Sequence, residues 1–375
     1  MQGTKMQDIN VQTFEVEKAN LQTTRLTTST IAMPLSENEV VLKVDKFALT
    51  ANNISYGVAG DSLGYWRFFP TEQTSEKQWG RLPVMGFANV VASNNEHISV
   101  GQRVWGFMPM ASHVKILAGN VNKNGFSDVS PYRKGLAPLY SVFELVSANP
   151  FYSVENEDFD ILVRGLFTTS WLVDDFIDDN QYFGASQYLI TSASSKTSIA
   201  LAFAIKQRGT VPSIGITSAT HRDFVASLGC YDEVISYDEI ATLDARQLSV
   251  VVDMAGSQSI LSKIHYHFGD QLRYSCRIGV THHDDLLPDE LSKISTLPGV
   301  TPTFFFAPTQ LKKRIDDWGT NTVMQKIGLS LLNYIQFCQS TITIEHTTDS
   351  EKINPIYQRV LSGTSDANTG QIISL

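Results

Sequence analysis

Two rhythms of hydrophobic residues divide the chain. In the first third, short apolar runs are cut by turn residues. Residues 40–44 read Val-Val-Leu-Lys-Val, and Arg-Val-Trp-Gly-Phe follows the turn at Gly101. Pro83, Gly86, Gly101 and Gly106 punctuate this region. The pattern predicts a strand-rich, barrel-like domain.

Near residue 150 the period changes. Residues 160–178 (DILVRGLFTTSWLVDDFID) repeat their apolar positions at helical spacing and predict a long helix. A short apolar strand at 187–191 and a helix at 195–207 come next. Further strands are expected at 213–217, 233–236, 250–253, 274–280 and 303–306, with helices at 222–228 and 258–268 between them. Strands alternating with helices in this way predict an open, doubly wound parallel sheet. After Pro308 a helical stretch runs to about Cys338. A strand (341–345), a helix (350–361) and a last strand (370–374) follow. A final strand can return to the first domain, which makes the α/β domain an insertion. The expected division is 1–150 with 310–375 for the β-rich domain and 151–309 for the α/β domain.

A chain of 375 residues suits two cores. Its 42% hydrophobic and 18% charged residues are those of a globular protein. A formal charge of −9 argues against nucleic-acid or anionic-membrane partners. No apolar run approaches the roughly 18 residues a membrane helix needs, and residues 1–20 lack a signal-peptide core. Cys230, Cys276 and Cys338 are scattered and form no CxxC, which fits a reducing cytoplasm. Neither His265-Tyr266-His267 nor His282-His283-Asp284-Asp285 has zinc-site spacing, so no metal is expected.

Candidate chemistry begins at residues 188–204 (YLITSASSKTSIALAFA), a strand, a small-residue turn and an apolar helix. A dinucleotide fold places its pyrophosphate at such a helix N-terminus. The usual GxGxxG is replaced by Ser192, Ala193, Ser194, Ser195, Lys196 and Thr197. Small residues let a backbone approach, and the hydroxyls with Lys196 add donors for phosphate. An N-capped helix without any ligand fits the same residues. The second strand ends in Thr217 and Ser218, followed by His221 and Arg222, where an NAD enzyme carries a carboxylate. Hydroxyls and an arginine suit a 2′-phosphate, so the expected cofactor is NADP. Gly60-Asp61-Ser62-Leu63-Gly64 matches the GxSxG pattern, but an aromatic run halted by Pro70 follows it and no βαβ pattern precedes it. A turn is the better reading, with a serine hydrolase using Ser62 as the alternative.

The residues also resemble a known family. Residues 47–65 (FALTANNISYGVAGDSLGY), 166–176 (LFTTSWLVDDF), 253–256 (DMAG) and 304–318 (FFFAPTQLKKRIDDW) are similar to the quinone- and enoyl-reductase side of the medium-chain dehydrogenase/reductase superfamily, in an uncharacterised branch. Residues 83–106 resemble its Pro, Gly and Gly-Asp-Arg-Val segment. The resemblance implies a GroES-like barrel with an inserted Rossmann domain. Zinc-binding members carry Gly-His-Glu where this chain has Gly86-Phe87-Ala88, which implies a zinc-free protein. It further implies Thr169 against the nicotinamide, with Gly256 and Thr281 lining that half of the cofactor. Tyr65 or Tyr56 would donate the proton, beside Asn53.

These readings converge on a zinc-independent, NADPH-dependent oxidoreductase that reduces an activated carbonyl, enone or quinone-like small molecule. A non-catalytic NADP-binding sensor of the same fold is the alternative. A homodimer is expected, because residues 301–307 (TPTFFFA) form a very apolar late strand.

Overall fold

The computed structural model describes residues 7–71, 77–254, 256–278 and 296–375. The chain forms two compact units. One comprises the residues up to Leu162 together with Thr343–Leu375, and the other is Val163–Ile342.

In the first unit the strands are β1 (Ile9–Glu17), β2 (Asn20–Ile31), β3 (Glu39–Leu49), β4 (Trp79–Gly80), β5 (Pro83–Ser93), β6 (Arg103–Pro109), β7 (His113–Asn122), β8 (Gly125–Asp128) and β9 (Val142–Leu145). One short helix, α1 (Ala51–Val58), follows β3. β3 is buried on both faces. Val40, Leu42 and Val44 join the main core, while Val41 packs with Leu35 and Ala92 in a smaller cluster. Each such side chain contributes roughly 1.5–3 kcal/mol by leaving water. Gly86 permits the close β3–β5 approach, since a Cβ there would stand 2.6 Å from the Lys46 carbonyl oxygen.

Helix α2 (Glu157–Asp179) leads into the second unit. There the strands are β10 (Gln187–Thr191), β11 (Ser213–Thr217), β12 (Glu233–Ser236), β13 (Ser249–Asp253), β14 (Leu272–Arg277) and β15 (Thr303–Phe304). They lie in the order β12-β11-β10-β13-β14-β15, all parallel. By sequence this is 3-2-1-4-5-6, the dinucleotide-binding order, with its switch point between β10 and β13. α3 (Lys196–Arg208), α4 (Arg222–Ser227) and α5 (Gln258–Phe268) are crossover helices. Leu189, Ile214, Val251 and Ile235 of the sheet pack against Leu261, Ile264 and Phe268 of α5.

The expected helical stretch after Pro308 is two helices, Ala307–Trp318 and Thr320–Thr341, parted by Gly319 at φ 80°. Both belong to the second unit. Tyr334 stacks on Phe167 at 5.0 Å and meets Phe203 at 5.2 Å, while Arg314 pairs with the buried Asp175 at 2.6 Å. The units therefore divide at 162/163 and 342/343, rather than at 150/151 and 309/310. These contacts, between residues far apart in sequence, move the second boundary.

The chain then re-enters the first unit through β16 (Thr343–Thr347) and β17 (Thr369–Ile373), separated by a helix at Ile353–Leu361. β17 pairs antiparallel with β3, setting Ile373 opposite Phe47. The resulting sheet runs β16-β17-β3-β5-β6-β9-β8-β7, and a further β3–β7 pairing closes it into a barrel. The described residues contain no helix long and apolar enough to cross a membrane. The three cysteines are buried and unbonded.

Candidate functional site

The turn joining β10 to α3 lies beside the switch point. Ser192 adopts φ 49°, a left-handed conformation usually left to glycine. Ser195 caps α3, its Oγ accepting the Ser198 N–H at 3.1 Å. Such a cap is worth about 1 kcal/mol. Ser198 Oγ in turn donates to the Thr191 carbonyl at 2.9 Å. Beneath the turn, Tyr231 donates its hydroxyl to the Ala193 carbonyl at 2.9 Å. Other first-turn N–H groups of a helix lack helical acceptors, which suits an anion.

The expected phosphate ligands differ in their surroundings. Ser194 Oγ lies 3.2 Å from His221 Nδ1, linking the turn to the segment after β11. Lys196 is half-buried. Burial pushes its ammonium down to about 8, only partly opposed by the nearby Cys338. It is a partly desolvated amine near Cys338 of the Thr320–Thr341 helix. Thr197 uses its carbonyl to accept the Ser170 hydroxyl at 2.8 Å. Ser170 is fully buried, whereas Thr169 is partly exposed and donates its hydroxyl to the Gly165 carbonyl of its own helix at 3.1 Å. Sequence spacing could not tell these neighbours apart.

At the end of β11, Thr217 is buried and its carbonyl accepts the Tyr237 N–H at 2.9 Å. Ser218 opens the turn that presents His221 and makes no side-chain cap bond. Arg222 is half-exposed and lies 3.3 Å from Glu239, so its charge is shared with a carboxylate the sequence reading did not place. Across the switch point, Asp253 Oδ1 accepts the Thr191 hydroxyl at 2.7 Å and the Gly256 N–H at 3.3 Å. Gly256 has φ 75°, which explains its residue type. Thr281 and residues 282–285 lie outside the described residues.

In the first unit, Asn53 is not free for chemistry. Its Oδ1 accepts the Thr50 N–H at 2.7 Å and the Thr50 hydroxyl at 3.1 Å, and its Nδ2 donates to the Pro83 carbonyl at 2.9 Å. It caps α1 and ties the helix to β5. Tyr56 and Tyr65 lie face to tilted face at 4.5 Å, with Tyr140 at 6.3 and 5.9 Å and Phe68 and Phe107 around them. Burial, reinforced by Tyr140, holds both hydroxyls well above the ordinary tyrosine range. These tyrosines keep their protons firmly and serve better as hydrogen-bond donors than as strong acids. Tyr140 arrives from a distant 3-10 turn and carried no local signal.

The remaining motifs resolve locally. Ser62 is exposed on a turn, and its hydroxyl makes one long contact to the Ala59 carbonyl at 3.4 Å. His265 is buried between the Pro298 carbonyl and Ser275 Oγ, both at 2.9 Å. His267 faces the Leu243 carbonyl at 2.9 Å. Among the described residues no group of three or more His, Cys, Asp or Glu could hold a metal.

No curated protein matches the sequence. Among solved structures, the chain is similar to CurA from Vibrio vulnificus in complex with NADPH, at 12% identity and a TM-score of 0.61, covering 97% of this chain and 98% of that one. It is similar to the yhdH oxidoreductase from Salmonella enterica in complex with NADP, at 14% identity, a TM-score of 0.55 and coverage of 97% and 99%. It also resembles a mutant enoyl thioester reductase from Candida tropicalis, at 13% identity, a TM-score of 0.51 and coverage of 98% and 100%. These likenesses show that the chain shares the fold of those proteins, a barrel with an inserted α/β domain. With residues 47–366 matching its profile, the chain belongs to the family described as "Protein of unknown function (DUF2855)".

Proposed function

We propose that the protein is an NADPH-dependent oxidoreductase that works without a metal on an activated carbonyl, enone or quinone-like small molecule. The observation that carries this is the β10–α3 turn at the switch point of a 3-2-1-4-5-6 sheet, linked through Ser194 to His221. The donor set fits NADP. Ser192, Ser194 and Ser195 offer hydroxyls around a helix N-terminus, and Ser192 takes the backbone conformation a glycine would supply. Beyond β11, residues 217–222 contain Thr217, Ser218, His221 and Arg222 and no carboxylate, which favours a 2′-phosphate over a bare ribose. The bound cofactor would supply the hydride. Asp253 would position Gly256 through the N–H bond it accepts, and the tyrosine cluster would donate hydrogen bonds to a substrate oxygen.

Titration of the purified protein with NADPH, followed by cofactor oxidation across a panel of enones, aldehydes and quinones, tests this. Chelators should change neither stability nor turnover. Binding without turnover on any substrate would favour the second reading, an NADP-binding protein without chemistry. The strongly held protons of Tyr56 and Tyr65 support that reading. We also propose a homodimer joined along β15. This strand ends the parallel sheet, with Phe304 and Phe306 each more than half exposed.

A further inference from the structure

The last residues of three neighbouring strands share one face at the carboxyl edge of the parallel sheet. Thr191, Asp253 and Arg277 end β10, β13 and β14. Asp253 is in register with Arg277, and Thr191 bonds to Asp253. α5 covers this face, because Ser275, two residues before Arg277, hydrogen-bonds His265 of α5 at 2.9 Å. Since β13 and β14 run parallel and α5 connects them, α5 starts at this same edge, beginning with Gln258.

Arg277 is only 8% exposed, yet its Nε has no hydrogen-bond partner. Among the described residues its guanidinium also makes no ion pair. The other buried arginines have carboxylates as ion-pair partners, although Arg133 Nε likewise makes no hydrogen bond. Arg314 pairs with Asp175, Asp179 and Asp317, and Arg133 pairs with Asp128. A guanidinium stays charged in any protein, and a buried charge is costly unless something compensates it. The N-terminus of an eleven-residue helix at the same edge adds unsatisfied N–H groups and a positive dipole end.

We infer that Arg277 and the N-terminus of α5 form an oxyanion site that takes a carboxylate or phosphate of a small-molecule ligand. The site is separate from the β10–α3 turn, lies on the other side of the switch point, and does not depend on the proposed reaction. The oxyanion has two possible sources, the phosphate next to the nicotinamide of a nucleotide or the carboxylate of an acidic substrate.

Thermal melts of the full chain and of Arg277→Met and Arg277→Lys test it, with nicotinamide mononucleotide and succinate as probes. Arg277→Met should melt higher than wild type without ligand, since it removes a largely buried charge that makes no ion pair. It should also bind the effective probe at least about tenfold more weakly, while Arg277→Lys keeps part of the affinity. A response to nicotinamide mononucleotide alone assigns the site to a nucleotide phosphate, and a response to succinate alone assigns it to a carboxylate. The inference is overturned if Arg277→Met melts lower or does not fold. It is equally overturned if wild type answers neither probe, or if wild type and Arg277→Met answer alike. NADPH is titrated in parallel. Failure to bind NADPH alongside an Arg277-dependent probe response would sink the proposed function and leave this site standing.

Discussion

Thr191 and Asp253, 62 residues apart, join two strands across the switch point, the threonine hydroxyl donating to the carboxylate at 2.7 Å. Both side chains are essentially buried. The same carboxylate oxygen accepts the Gly256 N–H, so one oxygen connects the end of β10 to Gly256 beyond β13. Thr191→Val keeps the shape and removes the donor. We expect a loss of roughly 1.5–3 kcal/mol, because the bond goes to a charged acceptor. Denaturant unfolding with an unchanged m-value would measure it.

On the proposed reading, the segment after β11 governs cofactor choice. NADPH should bind more tightly than NADH, and Arg222→Ala should weaken NADPH by about ten- to a hundredfold while sparing NADH. Glu239 lies 3.3 Å from Arg222 and competes for its charge, so Glu239→Gln should tighten NADPH binding. Calorimetric titration of both cofactors against the three proteins decides the matter. Equal wild-type affinity for the two nucleotides defeats the assignment.

Tyr65→Phe should leave NADPH affinity unchanged and lower turnover by about 10²–10⁴-fold if its hydroxyl serves the reaction. Because burial and Tyr140 raise both hydroxyls, neither Tyr65 nor Tyr56 should add an alkaline limb to the rate profile below the ordinary value of about 10. Steady-state rates against pH for wild type and mutant check both points. Unchanged turnover moves the role to Tyr56 or to water.

Asp174 sets an acid-side pH dependence. Burial raises its carboxyl to about 6 despite the opposing Arg208, which holds Oδ2 at 2.8 Å. The folded state therefore keeps a proton that the unfolded state releases near its ordinary value of about 3.9. This contribution is complete below that value and is lost as pH rises through about 6. Relative to Asp174→Asn, wild type should gain roughly 1.4 kcal/mol on going from pH 7.5 to pH 5. Paired melts at the two pH values read the difference. A gain in the opposite direction would show that the carboxyl stays ionised.

The dimer proposal predicts that light scattering gives twice the chain mass. Phe304→Lys should shift the protein toward monomer without altering its far-UV spectrum, since the side chain is exposed at a sheet edge. A wild-type monomer at high concentration would end this proposal.

The sequence by itself determined the architecture. The strands at 187–191, 213–217 and 233–236 stand where the apolar runs predicted them. Period and turn residues are local properties, and a fully buried parallel strand announces itself by unbroken hydrophobicity. Ser195 as a cap was legible for the same reason, since a helix start is set by neighbouring residues. Only the tertiary structure decided which polar side chains remain available for chemistry. It committed Asn53 to a cap, set Glu239 beside Arg222, desolvated Lys196 near Cys338 and brought Tyr140 to Tyr56 and Tyr65. It also drew the second domain boundary at 342/343, through the packing of Tyr334 against Phe167 and Phe203. Each of these depends on partners distant in sequence, and solvation and charge pairing exist only once the chain has brought them together.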